Sequence, residues 1–219
     1  MSARGVAAVA LALAVTATPA AAPCTASAPP AASARPAAPL EASAALATRL
    51  AASGRGTARL ERHERDPFTR APVITRAGLA LEPPDRARLD FDTGERVTLR
   101  ADGGEWLQPQ LGQLLRFSGD QSEAALRWWR LLLPGEAAHF REVAAGTRRW
   151  LVLAPQSAGF ADSAWVELDR SGLPARLAFR DASGESVSVA FRDWRFARAR
   201  GRAAFVLTAP PGVQTIELP

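Results

Sequence analysis

The chain has no lysine, no tyrosine, one cysteine and two histidines in 219 residues. Each scarcity closes off a chemistry. The lone cysteine, Cys24, cannot form an internal disulfide. No strand or helix around it would hold it near a base, so it is not a candidate nucleophile. His63 and His139 lie far apart and lack the spacing of a zinc site. His63 sits in a charged strand and reads as solvated, while His139 borders Phe140 and reads as structural. No glycine-rich phosphate loop is present. Acidic residues are plentiful, yet none falls on an apolar face where burial would push its pKa up. The expectation is a protein that is not an enzyme, with no catalytic residues, no metal and no cofactor.

Every one of the 27 basic residues is arginine, against 22 acidic residues, for a net charge of +5. A GC-rich coding bias is the ordinary cause of such usage. Arginines and acids alternate through ERHERD, DRARLDFDTGER and FRDASGES. That mixing describes a solvated face rather than a track for phosphates, so no nucleic acid is expected as a partner.

The N-terminus reads as an export signal over residues 1–22. Arg4 supplies the positive end, and residues 6–15 form an apolar stretch too short to span a bilayer. Small residues at Thr18, Ala20 and Ala21 offer cleavage sites. Residues 23–39 are almost all Ala, Pro and Ser, and form a linker unable to bury a core. Residues 40–219 then make a single folded domain. A protein of the periplasm is expected, and a monomer. Cys24 is a lipidation site only if the signal is cut before it, and Ala21 and Pro23 fit that motif poorly.

Past the linker, LEASAALATRLAAS places Leu40, Ala44, Ala47, Leu50 and Ala51 at helical spacing, and Gly54 ends the helix. Alternating segments follow. Leu79 and Leu81, Leu89 and Phe91, and Val97 and Leu99 each stand opposite charged or small neighbours. GTARLERHER carries charges on both faces at its end and reads as an edge strand. Asp102-Gly103-Gly104 reads as a turn. DQSEAALRWWRLLL breaks the alternation; Asp120 caps it, Glu123 completes a capping box, and Ala125, Trp129 and Leu132 share a face. Strands resume, with PARLAFRDASGESVSVAF the clearest hairpin: Leu177, Phe179, Val187, Val189 and Phe191 on one side, Arg176, Arg180, Ser186 and Ser188 on the other. AAFVLTAP reads as a last strand. The fold expected is mostly β (α+β), a curved antiparallel half-barrel of about 11 strands with a lid of two or three helices.

Such a sheet has one broad apolar face. Two short helices covering it give either a dry core or a cavity for an apolar ligand. The candidate lining is Leu79, Leu81, Leu89, Phe91, Val97, Leu99, Trp106, Leu177, Phe179, Val187, Val189 and Phe191, with Trp129 on the lid. An acyl chain suits it: burying ~16 carbons is worth about 12 kcal/mol gross at ~0.8 per CH₂.

The order of several segments resembles the LolA family of periplasmic lipoprotein carriers, whose fold is shared with the outer-membrane receptor LolB. These are PPDRARLDF, RADGGEWLQPQLGQL, LRWWRLLLPG, TRRWLVLAPQSAGF, LDRSGLPARLAFRDASGESVSVAF and FVLTAPPGVQTIEL. The resemblance implies a half-barrel with a movable helical lid and a cavity for lipoprotein acyl chains. Its implied partners are an inner-membrane transporter and an outer-membrane receptor. Two departures stand out: Pro83-Pro84 occupies the place of the family's lid-latching Arg-Pro pair, and Leu89 that of its tryptophan. Arg86 and Arg88 are the nearby residues that could replace the latch. The same architecture also serves envelope sensors that bind a partner's periplasmic segment. With Cys24 lipidated, the chain would instead be an anchored receptor.

Overall fold

The computed structural model describes residues 41–66, 69–119, 132, 140–145, 148–153, 163–180 and 186–218. The expected signal and linker, Cys24, His139 and the helix expected over residues 120–133 apart from Leu132 lie outside them. No described helix is long and apolar enough to cross a membrane.

One helix, α1 (Glu41–Ser53), precedes twelve strands: β1 (Arg55–Arg65), β2 (Pro72–Glu82), β3 (Arg86–Phe91), β4 (Arg96–Arg100), β5 (Gly103–Gln108), β6 (Gln113–Ser118), β7 (Phe140–Ala145), β8 (Arg148–Leu153), β9 (Ser163–Leu168), β10 (Pro174–Arg180), β11 (Ser186–Ala197) and β12 (Gln214–Glu217). All join one open sheet in the order β12-β6-β5-β4-β3-β2-β1-β11-β10-β9-β8-β7. Every pairing is antiparallel except β12 on β6. The fold is therefore the expected mostly β half-barrel, with twelve strands and one described helix.

Two meanders, β1–β6 and β7–β11, meet where β1 pairs with β11. This corrects the reading of β1 as an edge. It is paired on both sides, and its terminal charges mark something else: Arg62 and Glu64 form an ion pair at 2.5 Å.

Cross-strand register makes the apolar face continuous. Leu79, Leu89, Val97, Trp106 and Leu115 stand in one row from β2 to β6. Leu81, Ala87, Leu99, Gly104 and Phe117 form the next. On the other half, Val189 faces Leu177 and then Val166, and Val187 faces Phe179 and then Ala164. Residues directly opposite share a face, so these rows form one surface.

Helix α1 lies against β1, β9, β10 and β11. Its buried stripe is Ala42, Leu46 and Leu50, with Ala47 beside it; Ala51 is exposed. The expected stripe was out of phase because a helix rich in alanine has weak apolar contrast around its circumference, and Leu46 decides the orientation. Gly54, at φ +89°, donates its N–H to the Leu50 carbonyl and ends the helix as expected.

The opposite face is not simply solvated. After β11 the chain crosses it to reach β12 at the far edge, through a 3-10 turn at Arg202–Phe205. AAFVLTAP is therefore not a strand. Phe205 is fully buried, and Leu207 packs with Leu107 and Leu114.

Candidate functional site

The candidate site is the α1 face. Of the residues expected to line it, Leu79, Leu81, Leu89, Leu99, Leu177, Val187, Val189 and Phe191 are buried there in a single cluster with Leu46, Leu50 and Leu132. Phe91, Val97 and Phe179 are partly exposed and pack against that cluster. Trp106 is also partly exposed, and its indole N–H donates to Glu95 at 3.1 Å. Trp129 lies outside the described residues. Chain connectivity explains why Leu132 reaches the cluster: β6 and β7 lie near opposite ends of the sheet, and the segment joining them carries Leu132.

The face is divided. Its β9–β10–β11–β1 part carries α1, which is tightly seated: a Cβ on Gly56 would stand 2.9 Å from Leu50. The amide of Ala42, in the first turn of α1, donates to Glu142 at 3.0 Å, a carboxylate placed where the helix dipole favours it. The β3–β6 part lies beside the strands that α1 packs on, and it holds the partly buried Phe91, Val97, Trp106, Leu115 and Phe117. A Cβ on Gly104 would meet the Phe117 ring at 2.3 Å, so the glycine makes room for that ring against β5.

Sequence reasoning missed three aspects of this region. First, Arg62 stands opposite Val189 and Thr75, so the Arg62–Glu64 pair interrupts the apolar face. Second, β11 has a bulge. Ala58 alone stands between the Thr57–Arg195 and Arg59–Arg192 pairs, where β11 has both Asp193 and Trp194, and Asp193 takes φ +57°. The extra residue returns Trp194 and Phe196 to the cluster of Phe191, stacked at 5.8 and 6.4 Å between centroids. Third, Glu82 and Glu105 are buried on the opposite face, where no carboxylate was expected to be buried. Glu82 accepts from the amides of Arg200 at 2.8 Å and Gly201 at 3.1 Å, and pairs with Arg55 at 3.3 Å. Glu105 accepts from the amide of Leu207. Both therefore fasten the crossing segment. Arg86 and Arg88 belong to the same fastening: Arg86 stacks on Phe205 and Arg88 donates to the Ala204 carbonyl at 2.9 Å. They are on the wrong side of the sheet to latch a lid. The signal available in sequence was that AGLALE in β2 and the later FVLTAP are both apolar runs too rich for one-sided strands.

His63 is exposed and contacts Glu61 at 2.8 Å, as its solvated reading implied. No cluster of metal-ligating side chains occurs among the described residues. Glu61 feels the Arg76 and His63 hydrogen bonds, which hold its carboxyl below the ordinary range.

The fold thus defines a class: an open β-sheet with one apolar face, part of it roofed by a seated helix. No protein-family model matches the chain, and no curated protein matches its sequence. Solved structures do show likeness. An uncharacterised conserved protein from Thermus thermophilus shares 14% identity over 81% of this chain and 98% of its own, at TM-score 0.49. A putative outer membrane lipoprotein-sorting protein domain from Vibrio parahaemolyticus shares 13% over 74% and 94%, at 0.43. A LolA superfamily protein from Nitrosomonas europaea shares 8% over 75% and 97%, at 0.41. Each is a likeness of fold alone, at a TM-score below 0.5.

Proposed function

We propose that the protein is an exported carrier that shelters acyl chains, of lipoproteins or related lipids, on the α1 face of its sheet, and moves them across the periplasm towards the outer membrane. The observation that carries this reading is the division of that face: α1 is seated over one half, while Phe91, Val97, Trp106, Leu115 and Phe117 stay half-exposed on the other. Val97, Trp106 and Leu115 stand in one cross-strand row, with Phe91 and Phe117 in the rows beside it, and such partly wet aromatic and aliphatic side chains are the lining an acyl chain would dry. A chain entering the cluster of Leu79 and Leu99 would compete with Leu132 for the same apolar contacts. The role of these residues is contact, not chemistry. The resemblance to the LolA family supports the same reading, along with its inner-membrane transporter and outer-membrane receptor as partners.

The test is displacement of a fluorescent fatty acid from the purified chain. Wild type is expected to bind saturably. Val97→Arg, at a half-exposed position where the fold can accept it, is expected to weaken binding at least tenfold with an unchanged circular dichroism spectrum. Trp129→Ala tests the lid in the same assay. Absence of binding to any fatty acid or lipopeptide by folded wild type would overturn the proposal.

A further inference from the structure

The arginines of this protein fall into two populations. Across β1–β6 nearly all are paired: Arg55 with Glu82, Arg62 with Glu64, Arg76 with Glu61, Arg88 and Arg96 with Asp90, Arg116 with Glu105 and Glu217. From Arg192 to Arg200 the pattern changes, before Arg202 pairs again with Asp102. Arg192, Arg195, Arg198 and Arg200 are exposed, and none of them forms an ion pair among the described residues. Between Asp193 and Glu217 the sequence contains no acid at all. The mixing of charges seen in ERHERD and DRARLDFDTGER fails here.

Register sharpens the point. Arg59 on β1 stands directly opposite Arg192 on β11, on the face away from α1. Like charges placed directly opposite destabilise a sheet. Arg195 follows on the same face opposite Thr57, and Arg198 and Arg200 continue the run into the crossing segment. Asp193, 3.7 Å from Arg59, is the single acid in the group, and Arg59 is still 82% exposed. The backbone under the patch is fixed, because the amide of Arg200 is held by buried Glu82. Five guanidinium groups are thus presented to solvent from a rigid surface with Asp193 as counter-charge, while the neighbouring Glu61 is engaged by Arg76 and His63.

We propose that this patch docks the protein on an anionic membrane surface, each guanidinium engaging headgroup phosphate oxygens through its two-pronged donor geometry. Two features favour headgroups over an acidic protein. Protein interfaces place aromatic or aliphatic anchors at their centre. Here the aromatic residues of the same strand, Trp194 and Phe196, pack on the other side with the core cluster. The second feature rests on the carrier reading: a protein that takes up and releases acyl chains must meet a membrane.

The experiment is co-sedimentation of the mature chain with vesicles of phosphatidylglycerol and phosphatidylcholine, and with phosphatidylcholine alone. Each arginine at an anionic surface is worth about fivefold in partitioning. Wild type is expected to partition onto the anionic vesicles only, and to be released by salt. Replacing Arg192, Arg195, Arg198 and Arg200 together by Ser is expected to reduce partitioning about 600-fold, with the melting temperature unchanged or raised, since Arg192 no longer opposes Arg59. A control, Arg76→Ser with Arg96→Ser, removes two paired arginines and is expected to change partitioning less than tenfold. Equal partitioning of the quadruple variant and wild type overturns the proposal, as does wild type that binds soluble polyglutamate but ignores anionic vesicles. Fatty-acid displacement by the quadruple variant separates the two readings. Retained displacement with lost partitioning supports docking as a function apart from cargo binding, and partitioning by a protein that binds no fatty acid overturns the carrier reading alone.

Discussion

At Glu82 the sheet buries a carboxylate completely and uses both of its oxygens, one for the amide of Arg200 and one for that of Gly201. Arg55, itself largely buried, depends on the same group. Glu82→Ala would leave that guanidinium and two amides without their acceptor, and is expected to cost about 3–5 kcal/mol in urea unfolding. A change below about 1 kcal/mol, the size of one ordinary hydrogen bond, would show that the crossing segment is held by apolar packing alone. Asp169 works in the same way on a smaller scale. Burial pushes its carboxyl up, but the Ser171 hydroxyl, the amides of Leu173 and Ser171 and the charge of Arg49 together hold it below the ordinary value of 3.8. Its charged form is therefore the one the fold prefers. The stability it adds is present above about pH 4 and is lost as pH falls through its lowered folded value. Asp169→Asn, which keeps the accepting oxygen, is expected to melt below wild type at neutral pH, with the gap closing in acid. A gap that stays constant down to about pH 2, below the usual carboxylate range, would contradict this.

At the scale of elements, the β4–β5–β6 region turns on Gly104. The sequence reads it as part of a turn, yet it lies in β5, opposite Leu99 and Phe117. A Cβ there would meet both the Phe117 ring and the Thr98 carbonyl oxygen, the latter at 2.7 Å, and the backbone atom cannot move aside. Gly104→Ala is expected to destabilise by about 1–3 kcal/mol, and to speed amide exchange in β5 and β6. An unchanged melting temperature would show that β5 can shift. Hairpins were the most legible elements. Leu177, Phe179, Val187 and Val189 alternate strictly, and the structure pairs them as their spacing implies. α1 was legible in extent but not in phase, because alanine contributes too little area to fix a helix face. The course of the C-terminal segment was not legible: Phe205 and Leu207 alternate like strand residues, but the groups they meet on β4 and β5, the Arg100 guanidinium and the Glu105 carboxylate, lie about 100 positions away in the chain.

For the whole molecule, the order of strands sets the order of local opening. β1 and β11 join the two meanders at the centre, each paired on both sides, while β7 and β12 are the outer strands. Native-state hydrogen exchange is expected to find the amides of β1, β2 and β11 slowest and those of β12 and β7 fastest. Protection of β12 equal to that of β1 would mean that its parallel pairing to β6 is no edge. The same arrangement separates the two proposed surfaces: the half-exposed row on β3–β6 faces one side of the sheet, and the arginine patch on β1 and β11 faces the other.

The amino-acid sequence by itself determined that the chain is a β-sheet with a continuous apolar face, since alternation of period two is a local property that each strand carries whether or not its neighbours are known. It likewise determined the hairpins, whose partners are adjacent in the chain. Only the tertiary structure decided that β1 is central, that Glu82 and Glu105 are buried, and that Arg59 comes to lie opposite Arg192. Those outcomes depend on which distant strand or segment closes over each residue, and a single side chain's polarity does not encode what will come to lie on top of it.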